Sequence, residues 1–226
     1  MTNKGLTFRE VVRLRKSCRG FLPEPISKDM INAVLEDAQL APSNCNLQPW
    51  LTHIVSGDKL KELSDAITRA HRDNSFTPDF TFDEKDFYGE YIDRAKAQGK
   101  VYYESLGVAR GDAEGRKVAA EKNLIFFGAP HVALLFMPSF GDNVRIGGDI
   151  GMYGQTFLLS LTDHGLAGIP QTFLGMFANT IREVLGISSE FKMMFGISFG
   201  YADPNAVSNI IKMGRDPISN NVTFHQ

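Results

Sequence analysis

Residues 41–50 read Ala41-Pro-Ser-Asn-Cys-Asn-Leu-Gln-Pro-Trp50, and they place short polar side chains between two prolines. Because a proline ring fixes φ, the prolines stiffen this loop. A stiff polar loop is suited to bind a planar polar ligand through Ser43, Asn44, Asn46 and Gln48. The alternative is an ordinary Asx-rich turn that leads into a strand. The loop alone does not decide between them.

Helical and strand-like patterns alternate along the chain, without an internal repeat. A capping box at Thr7 and Glu10 predicts the start of a first helix, which ends near Lys16. Ser27 is the predicted N-cap of a second helix, which Pro42 ends. The later predicted elements are a strand over 51–55, a helix over 60–70, a buried strand over 129–137, an apolar helix over 149–164, a short helix over 180–185 closed by Gly186, and a strand over 191–201.

Two segments stand out by their composition. Residues 149–164 form an almost wholly apolar helix, which must be buried nearly all round, either inside the fold or against a second subunit. This favours a dimer. Residues 74–115 are polar, aromatic and weakly periodic, and we interpret them as a helical excursion or lid on a single domain that covers residues 1–226.

A cationic cluster, Arg15-Lys16-Ser17-Cys18-Arg19, follows the first predicted helix. Two guanidinium forks, an ammonium and a hydroxyl can together donate several charge-assisted hydrogen bonds to one phosphate. The alternative is that these cations complement the negative end of the helix and stay solvated.

In combination, these two segments resemble the nitroreductase family of flavoproteins. That family carries an R-x-S-x-R element followed by P-S-x-x-N-x-Q-P-W, and both elements stand intact here, at 15–19 and 42–50. The resemblance continues in the same order through Phe126-Phe-Gly-Ala-Pro130, Asp149-Ile-Gly151, Gly165-Leu-Ala-Gly168, residues 181–187, residues 200–204 and Arg215-Asp-Pro217. It therefore covers nearly the whole chain.

The resemblance implies an α+β fold with a central mixed, mainly antiparallel sheet flanked by helices. It also implies an intertwined homodimer that binds two FMN at its interface. NAD(P)H would reduce the flavin at N5, and a nitroaromatic or quinone-type acceptor would then use the same face in ping-pong fashion. Since the chemistry takes place on the flavin, no catalytic side chain is required.

Site residues follow from the resemblance position by position. Arg15, Lys16 and Ser17 look like phosphate and ribityl ligands, and Arg19 faces the flavin pyrimidine. Arg215 looks like a further phosphate ligand. The remaining expected cofactor-binding residues are Pro42, Ser43, Asn44, Asn46 and Gln48, of which the partner subunit supplies the first four, together with Asn123 at the flavin edge and Pro170, Gln171 and Thr172 along the ring.

The chain departs from the family pattern at two places. Some relatives carry lysine two positions before the last arginine, where this chain has Met213, and Lys212 stands beside it. Many relatives read G-T-C or P-x-E-G where this chain reads Gly168-Ile-Pro-Gln-Thr-Phe173. The sequence therefore predicts the residues of the phosphate site more fully than those of the acceptor pocket. It does not decide between NADH and NADPH.

Composition excludes several other classes. A net charge of -2 with dispersed basic residues gives no global attraction to nucleic acid or acidic membranes. No apolar run approaches the roughly 18 residues of a membrane span. The two cysteines have no metal-ligand spacing, and neither have the histidines, so we expect no metal site. Without a signal-peptide pattern, we expect a cytoplasmic protein.

Residues 196–200 match a motif of a different enzyme class. Gly196-Ile-Ser-Phe-Gly200 satisfies the G-x-S-x-G pattern of serine hydrolases, with Ser198 as the nucleophile. However, it lies inside an apolar predicted strand, and only His225 follows it as a possible base. A flavin-binding protein without turnover is a third possibility. The FMN reductase remains the preferred hypothesis.

Overall fold

The structure, a computed structural model, describes residues 5–226. Its described residues form one sheet of four strands, β1 (Leu51–Ser56), β2 (His131–Met137), β3 (Ala167–Gln171) and β4 (Lys192–Gly200). The strands lie in the order β1-β2-β4-β3, and all neighbours are antiparallel. The described helices are α1 (Phe8–Leu14), α2 (Lys28–Gln39), α3 (Gly57–Arg72), α4 (Gly89–Ser105), α5 (Ala113–Glu121), α6 (Val144–Asp163) and α7 (Ala178–Leu185). The predicted α+β class is confirmed.

Strand β2 lies at the centre of the hydrophobic core, and all seven of its residues are buried. Because side chains alternate across a strand, Leu134 and its i±2 neighbours face one cluster with α3 and α7. Leu135 and its i±2 neighbours face a second cluster with α2 and α6. Each large apolar side chain so buried contributes about 1.5–3 kcal/mol. Helices on both faces explain why β2 is a continuous apolar run rather than an alternating one.

Local capping signals were read correctly from the sequence. Thr7 and Glu10 form a reciprocal capping box at the start of α1. Ser27 caps α2 by accepting from the Met30 N–H at 3.3 Å, and Gly186 ends α7 with φ of 67°. Within the described residues, no helix combines the length and the apolar character that crossing a membrane requires.

Several boundaries differ from the predictions, and one strand was missed. Helix α1 ends at Leu14 rather than near Lys16, because Arg15 already has an extended backbone. Helix α6 begins at Val144, five residues before Asp149, and the pair Gly147-Gly148 concealed its first turns, since glycine is a weak helix former. Strand β3 was not predicted at all.

The segment 74–115 contains α4 and most of its connections, and α4 has no buried residue. Its start is anchored by Asp79, whose carboxylate binds the Arg182 guanidinium of α7 and accepts from the Met193 N–H at 2.7 Å. Both side chains are less than a tenth exposed. Further along, Arg94 in the first half of α4 pairs with Asp216 at 2.5 Å. The excursion is thus tied to α7, β4 and the C-terminal segment.

A buried histidine makes the fold sensitive to acid. The Nε2 atom of His131 accepts from the Ile26 N–H at 2.8 Å, so Nδ1 carries the proton and donates to Ser56. Burial lowers the pKa of His131 below its ordinary value of 6.5. The unfolded chain therefore binds more protons, and the free energy of unfolding falls as the pH drops below about 6.5.

We expect His131→Gln to flatten this dependence between about pH 5 and 7 in urea unfolding. Exposed His225→Gln is the matched control and should keep the full slope, because its ring is not buried. A His131→Gln protein that retained the wild-type slope would show that another group, such as His53, is responsible.

Candidate functional site

The cationic cluster 15–19 runs beside strand β3. Ser17 forms an isolated parallel bridge with Gly168, and the Cys18 N–H donates to the Gly168 carbonyl at 3.1 Å. Cys18 is fully buried, whereas Arg15, Ser17 and Arg19 are partly exposed. This bridge is parallel, but it lies outside the four strands, whose pairings are all antiparallel. It also turns alternate side chains of the cluster toward the surface.

Asn209 holds the same cluster from its other side. Its Oδ1 accepts from the Arg19 N–H at 2.8 Å, and its Nδ2 donates to the carbonyls of Gly20 and Asp203. The Lys16 ammonium donates to the Asn209 carbonyl at 2.5 Å. Asn209 is 6% exposed, so these hydrogen bonds are shielded from water. The chain's C-terminal part therefore fixes the backbone of the cluster, and Lys16 is partly used in doing so.

Arg15 and Arg215 interact electrostatically although they are far apart in sequence. Burial lowers the pKa of Arg15, and the nearby charge of Arg215 lowers it further. Within residues 5–226, neither guanidinium pairs with a carboxylate; Arg215 donates only to carbonyls, that of Gly214 at 2.8 Å among them. Two close like charges without a counter-charge form a site that favours an anion with several oxygens, such as a phosphate.

A cavity of about 210 Å³ opens where β3 ends, next to Arg19. Burial lowers the pKa of Arg19. Its guanidinium carbon lies 4.9 Å from the centre of the Tyr102 ring. The cavity is lined by Arg19, Gln98, Tyr102, Asn123, Phe127 and the run 169–173. Five of the predicted cofactor-binding residues, Arg19, Asn123, Pro170, Gln171 and Thr172, therefore meet at one place.

Two of those residues have their side chains engaged within the protein. The Gln171 amide donates to both oxygens of Asn123, at 3.1 and 3.2 Å, and accepts from the Ser198 hydroxyl. Gln171 is 3% exposed, whereas Pro170 before it and Thr172 after it are exposed. A ligand in the cavity would therefore meet the backbone of Gln171 rather than its amide.

The serine-hydrolase reading of Ser198 fails on geometry. Ser198 lies in the middle of β4, paired with Val132 of β2 and Ile169 of β3, and is fully buried. A nucleophile elbow requires a strand-to-helix turn with an exposed hydroxyl. The hydroxyl of Ser198 instead donates a hydrogen bond to the side-chain oxygen of Gln171.

The predicted partner strip, 42–48, forms an exposed loop on α6. The Ser43 hydroxyl accepts from the Gln48 N–H at 3.0 Å, and the Asn44 N–H donates to the buried carboxylate of Asp149 at 3.0 Å. Positive φ values at Cys45, Asn46 and Gln48 hold the loop in a tight shape. None of residues 42–48 lines the cavity beside Arg19.

Comparison with known proteins identifies the family to which this chain belongs. A sequence profile described as "Nitroreductase family" matches residues 12–201. The chain belongs to the nitroreductase family. The nitroreductase NfnB of Mycolicibacterium smegmatis is 38% identical over 95% of this chain and 91% of its own. A 4-nitrobenzoate reductase of Pseudomonas putida is 34% identical over 92% of this chain and 91% of its own.

A solved nitroreductase structure extends the comparison to three dimensions. The FMN-dependent NfnB from Mycobacterium smegmatis, in complex with NADPH, superposes with a TM-score of 0.93 at 38% identity. The match covers 96% of this chain and 97% of that one. The described chain therefore has the nitroreductase fold over nearly its full length.

Within this nitroreductase site, sequence reasoning missed two residues and left a third unresolved. Asn209 gave no signal, because it acts through contacts some 190 positions distant. Gln98 was missed, although it lies four residues before Tyr102 and hence on the same face of α4. Tyr102 lies in the aromatic segment 74–115, and only the structure singles it out from the other aromatic residues there.

Proposed function

We propose that the protein is an FMN-dependent oxidoreductase that passes electrons from NADPH or NADH to nitroaromatic or quinone-type acceptors. One observation carries the proposal: the uncompensated pair Arg15 and Arg215, on the same cluster that delivers Arg19 to the cavity. The nitroreductase relatives and the FMN-dependent structural neighbour support it.

The residues present fit FMN. Arg15 and Arg215, with Lys16 and Ser17, would hold the phosphate and the ribityl chain, because they offer charge-assisted donors to an anion. The exposed positions 170 and 172 and the backbone of Gln171 would flank the ring. Asn123 would contribute at the ring edge by holding Gln171 in place, since its side-chain oxygen and its carbonyl both accept from the Gln171 amide.

FMN supplies hydride transfer, accepting from a nicotinamide and donating to the acceptor. The chain's own contribution is electrostatic and positional. Arg19 places a fixed cation in a shielded cavity, where it stabilises negative charge more than it would in water. Its backbone is fixed by Asn209 and Ser208, so little reorganisation is needed when charge develops.

A homodimer completes this proposal. Helices α1 and α6 expose apolar side chains, among them Phe8 at 73% and Val144 at 70%. Strand β1 is an edge strand, with a cavity of about 520 Å³ along it. Exposed apolar faces of this kind favour burial against a second subunit. The loop 42–48 would then reach the partner's FMN, through Pro42, Ser43, Asn44 and Asn46, while Gln48 braces it.

We place the protein in the cytoplasm and assign 74–115 as a lid. Cys18 and Cys45 are both free thiols, as a reducing compartment favours. Helix α4 of the excursion brings Gln98 and Tyr102 to the cavity while burying none of its residues. A weakly packed element over a site is suited to open and close.

Turnover with 4-nitrobenzoate tests the activity. Under anaerobic conditions, the FMN-loaded protein should oxidise NADPH or NADH over many turnovers only when the acceptor is present, and double-reciprocal plots at several acceptor concentrations should give parallel lines. Menadione, a simple quinone, is the second acceptor. Protein that holds FMN but consumes no nicotinamide with either acceptor would be a flavin-binding protein, and the proposed activity would be wrong.

A further inference from the structure

We propose that the Tyr102 hydroxyl is the donor that binds an oxygen of the acceptor's reducible group, and that it thereby selects planar aromatic acceptors. This inference rests on the proposed function and assigns a specificity-determining residue within it. The acceptor class is an electron-poor aromatic ring whose reducible substituent carries an oxygen, such as a nitro group or a quinone carbonyl.

The hydroxyl of Tyr102 is buried and has no hydrogen-bond partner among the described residues. Its neighbours in the cavity are differently placed: the Asn123 and Gln171 amides both donate and accept within the protein. A buried hydroxyl without a partner is unfavourable, and buried polar groups in proteins are nearly always satisfied. Since no nearby side chain satisfies Tyr102, a ligand in the cavity is the natural partner.

The ring of Tyr102 is held in place on both sides. The Arg19 guanidinium lies 4.9 Å from its centre, and the Tyr103 ring lies 5.4 Å from it. Arg116 stacks in turn on Tyr103 at 4.8 Å. These two aromatic rings lie between two cations, and the contacts restrain the Tyr102 ring because cations are attracted to aromatic faces. The direction of the hydroxyl is therefore largely preset before a ligand enters.

The hydroxyl acts as a donor at neutral pH. Burial raises the pKa of Tyr102, and this effect outweighs the opposing charge of Arg19. A neutral phenol suits a nitro or carbonyl oxygen, which can accept but not donate. The Arg19 charge in the same cavity disfavours cationic acceptors and favours those with a carboxylate or an electron-rich substituent oxygen.

The acceptor, rather than FMN, is the expected partner because of where Tyr102 comes from. The residues assigned to FMN are the 15–19 cluster, Asn123, the end of β3 and Arg215, together with the loop 42–48, and none of them lies on α4. Tyr102 and Gln98 come instead from α4, within the excursion 74–115. The wall formed by α4 is thus left for the second ligand that a ping-pong enzyme must admit.

Paired ligands test the contact without relying on turnover. Terephthalate carries a planar, non-reducible carboxylate where 4-nitrobenzoate carries its nitro group, and benzoate lacks that group. Dissociation constants are measured from the perturbation of the bound oxidised flavin spectrum in the FMN-loaded protein. Tyr102→Phe keeps the ring against Arg19 but removes the hydroxyl, and it should weaken terephthalate about 10-fold while changing benzoate less than about 2-fold.

Tyr103→Phe is the matched control, because its hydroxyl is next along the same helix and does not line the cavity. It should bind both ligands as the wild type does. The KM for 4-nitrobenzoate should likewise rise in Tyr102→Phe, with the FMN dissociation constant unchanged. Equal weakening of both ligands, no weakening of either, or a changed FMN affinity would each overturn the assignment.

Failure of this inference is distinguishable from failure of the proposed function. A wild-type protein that binds no FMN would sink the function itself. If the wild-type protein binds FMN and reduces 4-nitrobenzoate, and Tyr102→Phe has the same ligand dissociation constants and the same KM, only the proposed role of Tyr102 is wrong.

Discussion

Replacing Arg15 and Arg215 together by alanine is expected to raise the dissociation constant for FMN at least about 100-fold while the protein stays folded. Each guanidinium offers charge-assisted hydrogen bonds worth about 1.5–3 kcal/mol to a phosphate. Neither forms an ion pair with a described residue, so their loss removes no internal contact of that kind. Burial and, secondly, the charge of Arg215 lower the pKa of Arg15, so the charged pair is not a stabilising feature of the unliganded protein.

Fluorescence titration of free FMN with the apoprotein measures the effect, and thermal unfolding without flavin checks the fold. A double variant of exposed arginines, Arg72→Ala with Arg110→Ala, removes the same total charge away from the site. It should bind FMN as the wild type does. Full flavin affinity in the Arg15 and Arg215 variant would mean that the phosphate is bound elsewhere.

Asp79→Ala is expected to lower the free energy of unfolding by about 3–5 kcal/mol. The substitution leaves the Arg182 guanidinium buried, at 6% exposure, without the carboxylate that pairs with it among the described residues, and it also leaves the Met193 N–H without an acceptor. An uncompensated buried charge is far more unfavourable than the loss of a surface ion pair.

Urea unfolding measures this change, with Asp65→Ala on the exposed side of α3 as the control, expected to stay within about 0.5 kcal/mol of the wild type. The double variant Asp79→Ala with Arg182→Met should lose less free energy of unfolding than the two single variants lose in sum, because the charge is then removed together with its partner. Additive effects would show that the two groups do not interact.

Local rules account for the parts of the fold that the sequence predicted well. Caps at Thr7 and Ser27 and the left-handed Gly186 depend on a few neighbouring residues, so their patterns are legible without tertiary contacts. Strand β2 was legible because a run buried on both faces needs no alternation.

Long-range pairing explains what the sequence concealed. Strand β3 contains Gly168 and Pro170, which argue against a strand, yet it lies at the edge of the sheet, where proline is tolerated. Its position also turns Gln171 inward, which the motif alone did not reveal.

In the candidate site, too, local motifs were predicted from the sequence and long-range contacts were not. The cationic cluster and the loop 42–48 were recognised as ordered motifs, and the structure brings Arg19 together with 170–172. The role of Asn209 and the burial of the Tyr102 hydroxyl arise from contacts between segments that are distant in the sequence. No local sequence pattern predicts such contacts.

Anaerobic absorbance spectra of the purified protein with FMN test the central claim most directly. The account predicts a yellow protein that retains stoichiometric FMN through gel filtration. NADPH or NADH should bleach its flavin absorbance, and 4-nitrobenzoate should restore it. A colourless protein that ignores added FMN, or a bound flavin that neither nicotinamide bleaches, would contradict the account.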